Sequence, residues 1–398
     1  MGAPVLTEEQ LANLKLYRYS SIDRSFLTRY VLRHYWDLAI KVFPLNMAPN
    51  LITLTGLLFI IFNVILTFIY TPTLEAEHAG PSWLYFSFAL GLWLYSTFDN
   101  VDGRQARRTG TSSPLGELFD HGCDALNTTL AAIIQMSALG LGHSMPAVWI
   151  FVIAVTGFYL STIEEYHTGT LYLGYVNVPT EGVCLLCIMF IISGIFGPTV
   201  WKTELGCIIG SLPDYLQHMN LQETYVWTIG ILFFLTHVPV CFYNMYTACR
   251  AKGKPFIRCM IYDNWQITLY TVSFYFWVTS PYSFILSHQH YAIYLLAVGV
   301  CFGRICSKII LAHLTKSESP HPTGLLIPLV AGAVIANLPR YIDIDPIFSP
   351  QSEYAYLVCY FVMSLVLYIR WATRVIDSIC SYLHIRCLFI PNQHAKSL

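Results

Sequence analysis

Apolar residues fill this chain in blocks of about twenty, each bounded by a short polar break. The blocks fall near residues 47–70, 82–107, 114–141, 146–168, 181–201, 223–248, 260–281, 289–313, 322–339 and 353–376. A helix rises about 1.5 Å per residue, so a block of this length crosses a hydrocarbon layer of about 30 Å. The pattern predicts an all-α polytopic membrane protein with about ten transmembrane helices. The ninth block is expected to be short and kinked, because it starts at Pro322-Thr323-Gly324 and carries Ile327-Pro328. Residues 205–217 are too few to span and are assigned to the surface. Ahead of the first block, Arg24, Arg29, Arg33 and Lys41 interrupt apolar residues at helical spacing over 23–43. That reads as an amphipathic helix lying in the membrane interface. Residues 1–22 read as a polar arm. The organisation expected is an arm and interfacial helix over 1–44, a transmembrane domain over 45–380 and a tail over 381–398.

Composition agrees with the pattern. Of 398 residues, 55% are hydrophobic and only 11% charged, which excludes a soluble enzyme. The net charge of −1 offers no electrostatic footprint for nucleic acid. The 12 cysteines are scattered through apolar runs; Cys184 and Cys187 lack a matching His or Cys pair, so they read as packing residues. Lys and Arg gather in alternate loops: Arg104, Arg107 and Arg108, then Arg250, Lys252, Lys254 and Arg258, then Lys308 and Lys316, then Arg370 and Arg374. The opposite loops, 71–80, 140–146 and the one with Asp343 and Asp345, are acidic or neutral. The positive-inside rule places the basic side and both termini in the cytosol.

One stretch departs from the apolar pattern. Residues 99–124 read D-N-V-D-G-R-Q-A-R-R-T-G-T-S-S-P-L-G-E-L-F-D-H-G-C-D. Asp99 and Asp102 are three apart, and Asp120 and Asp124 four apart, so on helices each pair shares a face. Buried carboxylates between membrane helices are costly unless neutralised, and a hard divalent cation is the simplest neutraliser. Arg107 and Arg108 stand at the end of the same helix, and an arginine beside a metal cluster suits phosphate, by charge-assisted hydrogen bonds. Acid pairs, cations and such an arginine suit phosphoryl-group chemistry.

The spacing D-x2-D-G-x2-A-R-x8-G-x3-D-x3-D, filled by Asp99, Asp102, Gly103, Ala106, Arg107, Gly116, Asp120 and Asp124, resembles the signature of the CDP-alcohol phosphotransferases. The full run, with M-A-P-N-L-I-T-L-T-G at 47–56, resembles their eukaryotic choline/ethanolaminephosphotransferase branch. The resemblance covers nearly the whole chain, beyond about residue 185 mainly as architecture, with a family core at about 47–202. It implies transfer of phosphocholine or phosphoethanolamine from CDP-choline or CDP-ethanolamine to diacylglycerol, with release of CMP. It further implies that Asp99, Asp102, Asp120 and Asp124 hold Mg²⁺ or Mn²⁺, two ions in the family, and that Arg107 contacts phosphate. Asn50, Gly103 and Ala106 map to the nucleotide pocket, and Glu117 is a candidate contact for the nucleotide or the cationic head group. A homodimer in the endoplasmic reticulum or Golgi, with its site facing the cytosol, is what the branch suggests.

The acceptor hydroxyl needs a base. His121 lies next to Asp120, and an imidazole can take such a proton near neutrality. Glu181, opening the fifth block, is its expected partner. Asp124 as base, or His121 as a hydrogen-bonded structural residue, are the rival readings. Glu164 and Glu165 read as solvated interfacial acids or, alternatively, as facing choline; Lys308 and His313 read as snorkelling residues. Trp93, Tyr95, Tyr166 and Tyr172 can make a cation–π cage, but a membrane protein has many aromatics and none is assigned. Two other functions fit the acids: the same fold with a water-soluble acceptor, and a cation-coupled transporter, which would carry a second copy of the motif in an inverted repeat.

Overall fold

The computed structural model describes residues 5–210 and 212–390. A short helix α1 (Glu8–Asn13) and strand β1 (Ser21–Asp23) precede α2 (Arg33–Ala39), which a π turn at 28–32 and a 3-10 turn at 40–42 lengthen at either end. Then come α3 (Pro49–Tyr70), α4 (Ser82–Thr109), α5 (Pro114–Leu139) and α6 (Met145–Thr168). Strand β2 (Leu171–Leu173) pairs in parallel with β1, and a π turn at 178–182 runs into α7 (Val183–Phe196). The short α8 (Asp214–Gln217) is followed by α9 (Leu221–Leu232) and α10 (Val238–Ala251), joined by a π turn into one rod. The fold closes with α11 (Phe256–Val278), α12 (Tyr291–Leu314), α13 (Leu326–Ile342) and α14 (Pro350–Leu383).

Each predicted block has become a long helix, α9 and α10 sharing one. Six of these segments are apolar and long enough to cross a membrane by length and composition. Helices α4 and α5, which carry the charged stretch, are not in that set. Their ends follow from sequence. Gly110 in the left-handed region stops α4, Ser113 caps α5 by accepting from the Gly116 amide, and Pro114 starts it. Gly140 then stops α5 and Gly169 stops α6.

Helix α5 sits at the centre, between α3 on one side and α6 and α12 on the other, while α3, α4 and α7 pack in series. The α5–α12 seam is tight because α12 presents Gly299 and Gly303 four apart, the small-xxx-small pattern of membrane helix pairs. A Cβ at Gly299 would lie 2.4 Å from Thr129 Cγ2. Gly299→Ala is therefore expected to lower the thermal midpoint in detergent, at a cost of about 1–3 kcal/mol for the overpacked seam. An unchanged midpoint would show that the helices separate freely.

Four expectations change. The amphipathic helix starts at 26 rather than 23, because residues 21–23 are drawn into pairing with 171–173. Its Trp36 is buried, Asp37 pairs with Arg104 of α4, and Tyr30, Leu38 and Val42 stay exposed, which suits an interfacial element. Residues 5–17 are not a free arm: Thr7 and Gln10 form a capping box, and Leu6 and Leu14 are buried. Helix α13 is short, as expected, at 17 residues, but Pro328 falls in its first turn, where its missing N–H costs no helical hydrogen bond, and the proline inside the helix is Pro339. Helix α14 runs on to Leu383, and 385–390 continue as irregular chain; the rest of the tail, 391–398, lies outside the described residues. As expected, residues 205–217 form no spanning element among those described, and all twelve cysteines are free.

Candidate active site

The turn 110–113 folds α4 back onto α5 and brings the two acid pairs together at one end of the bundle. Carboxylate oxygens of Asp99, Asp120 and Asp124 lie within 4.8 Å of one another. Asp99 Oδ1 and Asp120 Oδ1 are buried and accept no hydrogen bond from any described residue. Asp102 beside them is buried and accepts from the hydroxyl of Thr53 on α3, and Asp124 accepts from the phenol of Tyr95 on α4. Three carboxylates this close cannot all be charged without a cation between them. Hard oxygen donors with orphaned lone pairs fit a divalent ion of the Mg²⁺ or Mn²⁺ kind.

The arginines divide their work. Arg104 pairs with Asp37, and Arg108 donates to the Ile40 carbonyl at 3.0 Å, so both fasten the interfacial helix. Arg107 makes no hydrogen bond or ion pair with the described residues and lies exposed, its Nη1 near Gly103, where an added Cβ would sit 3.6 Å away. The Ala106 carbonyl accepts from Thr111 at 2.9 Å and closes the helix end. Asn50 is buried at the start of α3, beside Gly116, and its amide points to Cys387 Sγ at 3.5 Å.

The comparisons with known proteins meet this geometry. The family model for CDP-alcohol phosphatidyltransferase matches residues 46–206, the stretch from the start of α3 through the aspartates and past α7. Cholinephosphotransferase 1 of Saccharomyces cerevisiae is 38% identical over 85% of this chain and 86% of its own. Choline/ethanolaminephosphotransferase 1 of Arabidopsis thaliana is 34% identical over 97% of this chain and 98% of its own. The chain belongs to the CDP-alcohol phosphatidyltransferase family. A Dictyostelium discoideum protein named only as an uncharacterised member of that family is 34% identical over 98% of this chain and 99% of its own.

Around the family's aspartate motif the structure re-sorts the remaining candidates. His121 Nδ1 lies 3.5 Å from Glu165 Oε2 on α6. Glu181, the expected partner, is engaged elsewhere: one oxygen accepts from Ser25 Oγ at 2.6 Å and the Leu27 amide at 3.2 Å, the other from the Asn177 amide at 3.0 Å and Thr180 Oγ1 at 2.6 Å. It clamps the entry of the interfacial helix to the loop before α7 and does not meet the imidazole. Glu164 and Glu165 are buried rather than solvated, 3% and 6% exposed, and Glu164 accepts from Asn244 at 2.7 Å. His313 is no snorkelling residue: ligand atoms of Glu117, Glu165 and His313 lie within 4.8 Å of one another. Lys308 does reach outward, to the His321 carbonyl. Glu117 accepts from Tyr17 at 2.6 Å. Thr53 and Tyr17 are thus site neighbours that sequence reasoning missed, while Tyr95, Glu165 and His313 are singled out there without these contacts. For Tyr17 the readable signal is the capping box that folds its segment.

Proposed function

We propose that this protein transfers phosphocholine, phosphoethanolamine or both from the CDP-alcohol to diacylglycerol, forming phosphatidylcholine or phosphatidylethanolamine and releasing CMP. The observation that carries this reading is the close-set trio Asp99, Asp120 and Asp124, two of whose oxygens are buried with no hydrogen bond among the described residues, together with Arg107, which has no hydrogen-bond or ion-pair partner among those residues. The names of the full-length relatives give the substrate class.

Asp99, Asp120 and Asp124, with Asp102 beside them, would hold Mg²⁺ or Mn²⁺, two ions by family analogy. Bound there, the ions would neutralise charge on the donor's diphosphate and on the departing CMP. Arg107 binds a phosphate oxygen, and Asn50, Gly103 and Ala106 border the nucleotide. His121 takes the proton from the acceptor hydroxyl, and Glu165 orients and charge-balances the imidazole. The acceptor oxygen bonds to the phosphorus that carries the choline or ethanolamine, and the bond from that phosphorus to the bridging oxygen breaks, its electrons leaving with CMP. A lipid acceptor fits a site at the end of membrane helices, and a soluble donor fits a cytosolic mouth. We place the protein as an integral protein of the endoplasmic reticulum or Golgi, with site and termini cytosolic, and as a homodimer.

The test is CMP release by purified protein in detergent–lipid micelles with diacylglycerol, given CDP-choline or CDP-ethanolamine, with Mg²⁺, Mn²⁺ or chelator. Metal-dependent release is expected, abolished by the chelator, and the ratio between donors names the product. Silence with both donors under every metal would return the reading to another acceptor or to ion transport.

A further inference from the structure

Residues 5–17 reach the site from outside the bundle. Thr7 and Gln10 cap α1 reciprocally, and Leu6 and Leu14 bury themselves among Leu115 and Leu118 of α5, Ile310 of α12 and Ile379 of α14. Two side-chain bonds fix the register on the end of α12: Gln10 Nε2 to Ser317 Oγ at 3.0 Å and Asn13 Nδ2 to the Thr315 carbonyl at 2.9 Å. A 3-10 turn, Leu14–Leu16, then delivers Tyr17, whose hydroxyl donates to Glu117 Oε2 at 2.6 Å. Burial, then the Glu117 charge, pushes this phenol well above its ordinary range, so it stays a donor. The bond fills one oxygen of Glu117, and no other hydrogen bond to that carboxylate is made by the described residues. Glu117 lies one turn before Asp120 and His121 on α5, with Glu165 and His313 close by.

We propose that the N-terminal arm is a wall of the active site, and that Tyr17 is a positioning residue that holds Glu117 so that its second oxygen faces the bound CDP-alcohol. The inference rests on the functional reading above, in that Glu117 borders the donor. The arm's apolar docking gives the wall rigidity, and its single phenol gives the wall a register. A hydrogen bond to a charged carboxylate contributes more than one between neutral groups, which sets the expected effect at about tenfold.

The experiment uses the full chain in micelles with diacylglycerol and Mn²⁺, as wild type, Tyr17→Phe, Glu117→Gln and the double variant. Tyr17→Phe is expected to raise KM for the CDP-alcohol about tenfold, with kcat, KM for diacylglycerol and the thermal midpoint nearly unchanged. In the Glu117→Gln background the same change is expected to add little, because the partner it acts through has gone. A tyrosine that only props the arm would instead lower the midpoint and lose activity equally in both backgrounds, which would overturn the proposal. An active wild type with Tyr17→Phe or Glu117→Gln at full donor affinity would overturn it too, leaving the functional reading intact. A wild type that releases no CMP would remove both.

Discussion

Asp120→Asn is expected to cut CMP release by on the order of a thousandfold or more, since several kcal/mol of charge stabilisation depend on an intact cation site. The same change is expected to raise the thermal midpoint in chelator. Asp120 brings a third carboxylate within 4.8 Å of Asp99 and Asp124, with one oxygen buried and unpaired, so an amide there removes like-charge repulsion. On adding Mg²⁺ or Mn²⁺ the order reverses. The wild type gains stability by binding an ion to its native state, and the variant gains little. Unfolding scans with and without metal therefore separate a ligand from a structural acid. A variant that loses activity while its metal-dependent shift equals that of the wild type would remove Asp120 from the ligand set.

That the aspartates form a site was legible because helix geometry alone sets it: three- and four-residue spacings put Asp99 with Asp102 and Asp120 with Asp124, and the four-residue turn between α4 and α5 superposes the pairs. The helices were legible for a similar reason, since each apolar block is long enough to stand without knowledge of its neighbours. What the sequence hid lies between elements remote in the chain. Glu165 meets His121 because α6 packs against α5, and His313 joins them because α12 flanks the same helix. Nothing in one dimension distinguishes Glu165 from Glu164, which turns to Asn244 instead. Glu181 misled for the opposite reason. It stands near the right end of the bundle, but a serine, a threonine and two backbone amides already engage its oxygens. The division among Arg104, Arg107 and Arg108 was equally invisible, because it depends on where the interfacial helix comes to rest.

His121→Gln is expected to lower kcat by about a hundred- to ten-thousandfold, the range that a positioned general base contributes. Because glutamine keeps a polar side chain at this half-buried position, KM for the CDP-alcohol and the thermal midpoint should move little. The two glutamates then divide cleanly. Glu165 Oε2 lies 3.5 Å from the imidazole, so Glu165→Gln is expected to reduce kcat by about tenfold in the native His121 enzyme and to add little to His121→Gln, the pattern of residues acting as one unit. Glu181 anchors Ser25, Leu27, Asn177 and Thr180, so Glu181→Gln is expected to lower the thermal midpoint and to impair activity equally with or without His121. If His121→Gln instead keeps most of its kcat, the proton must go elsewhere. Asp124 then becomes the base, and the Tyr95 hydroxyl bonded to it gives the next variant, Tyr95→Phe, its rationale. If Glu181→Gln rather than Glu165→Gln proves non-additive with His121→Gln, the loop before α7 must swing toward the imidazole when substrate binds, and the clamp at Ser25 must open for it.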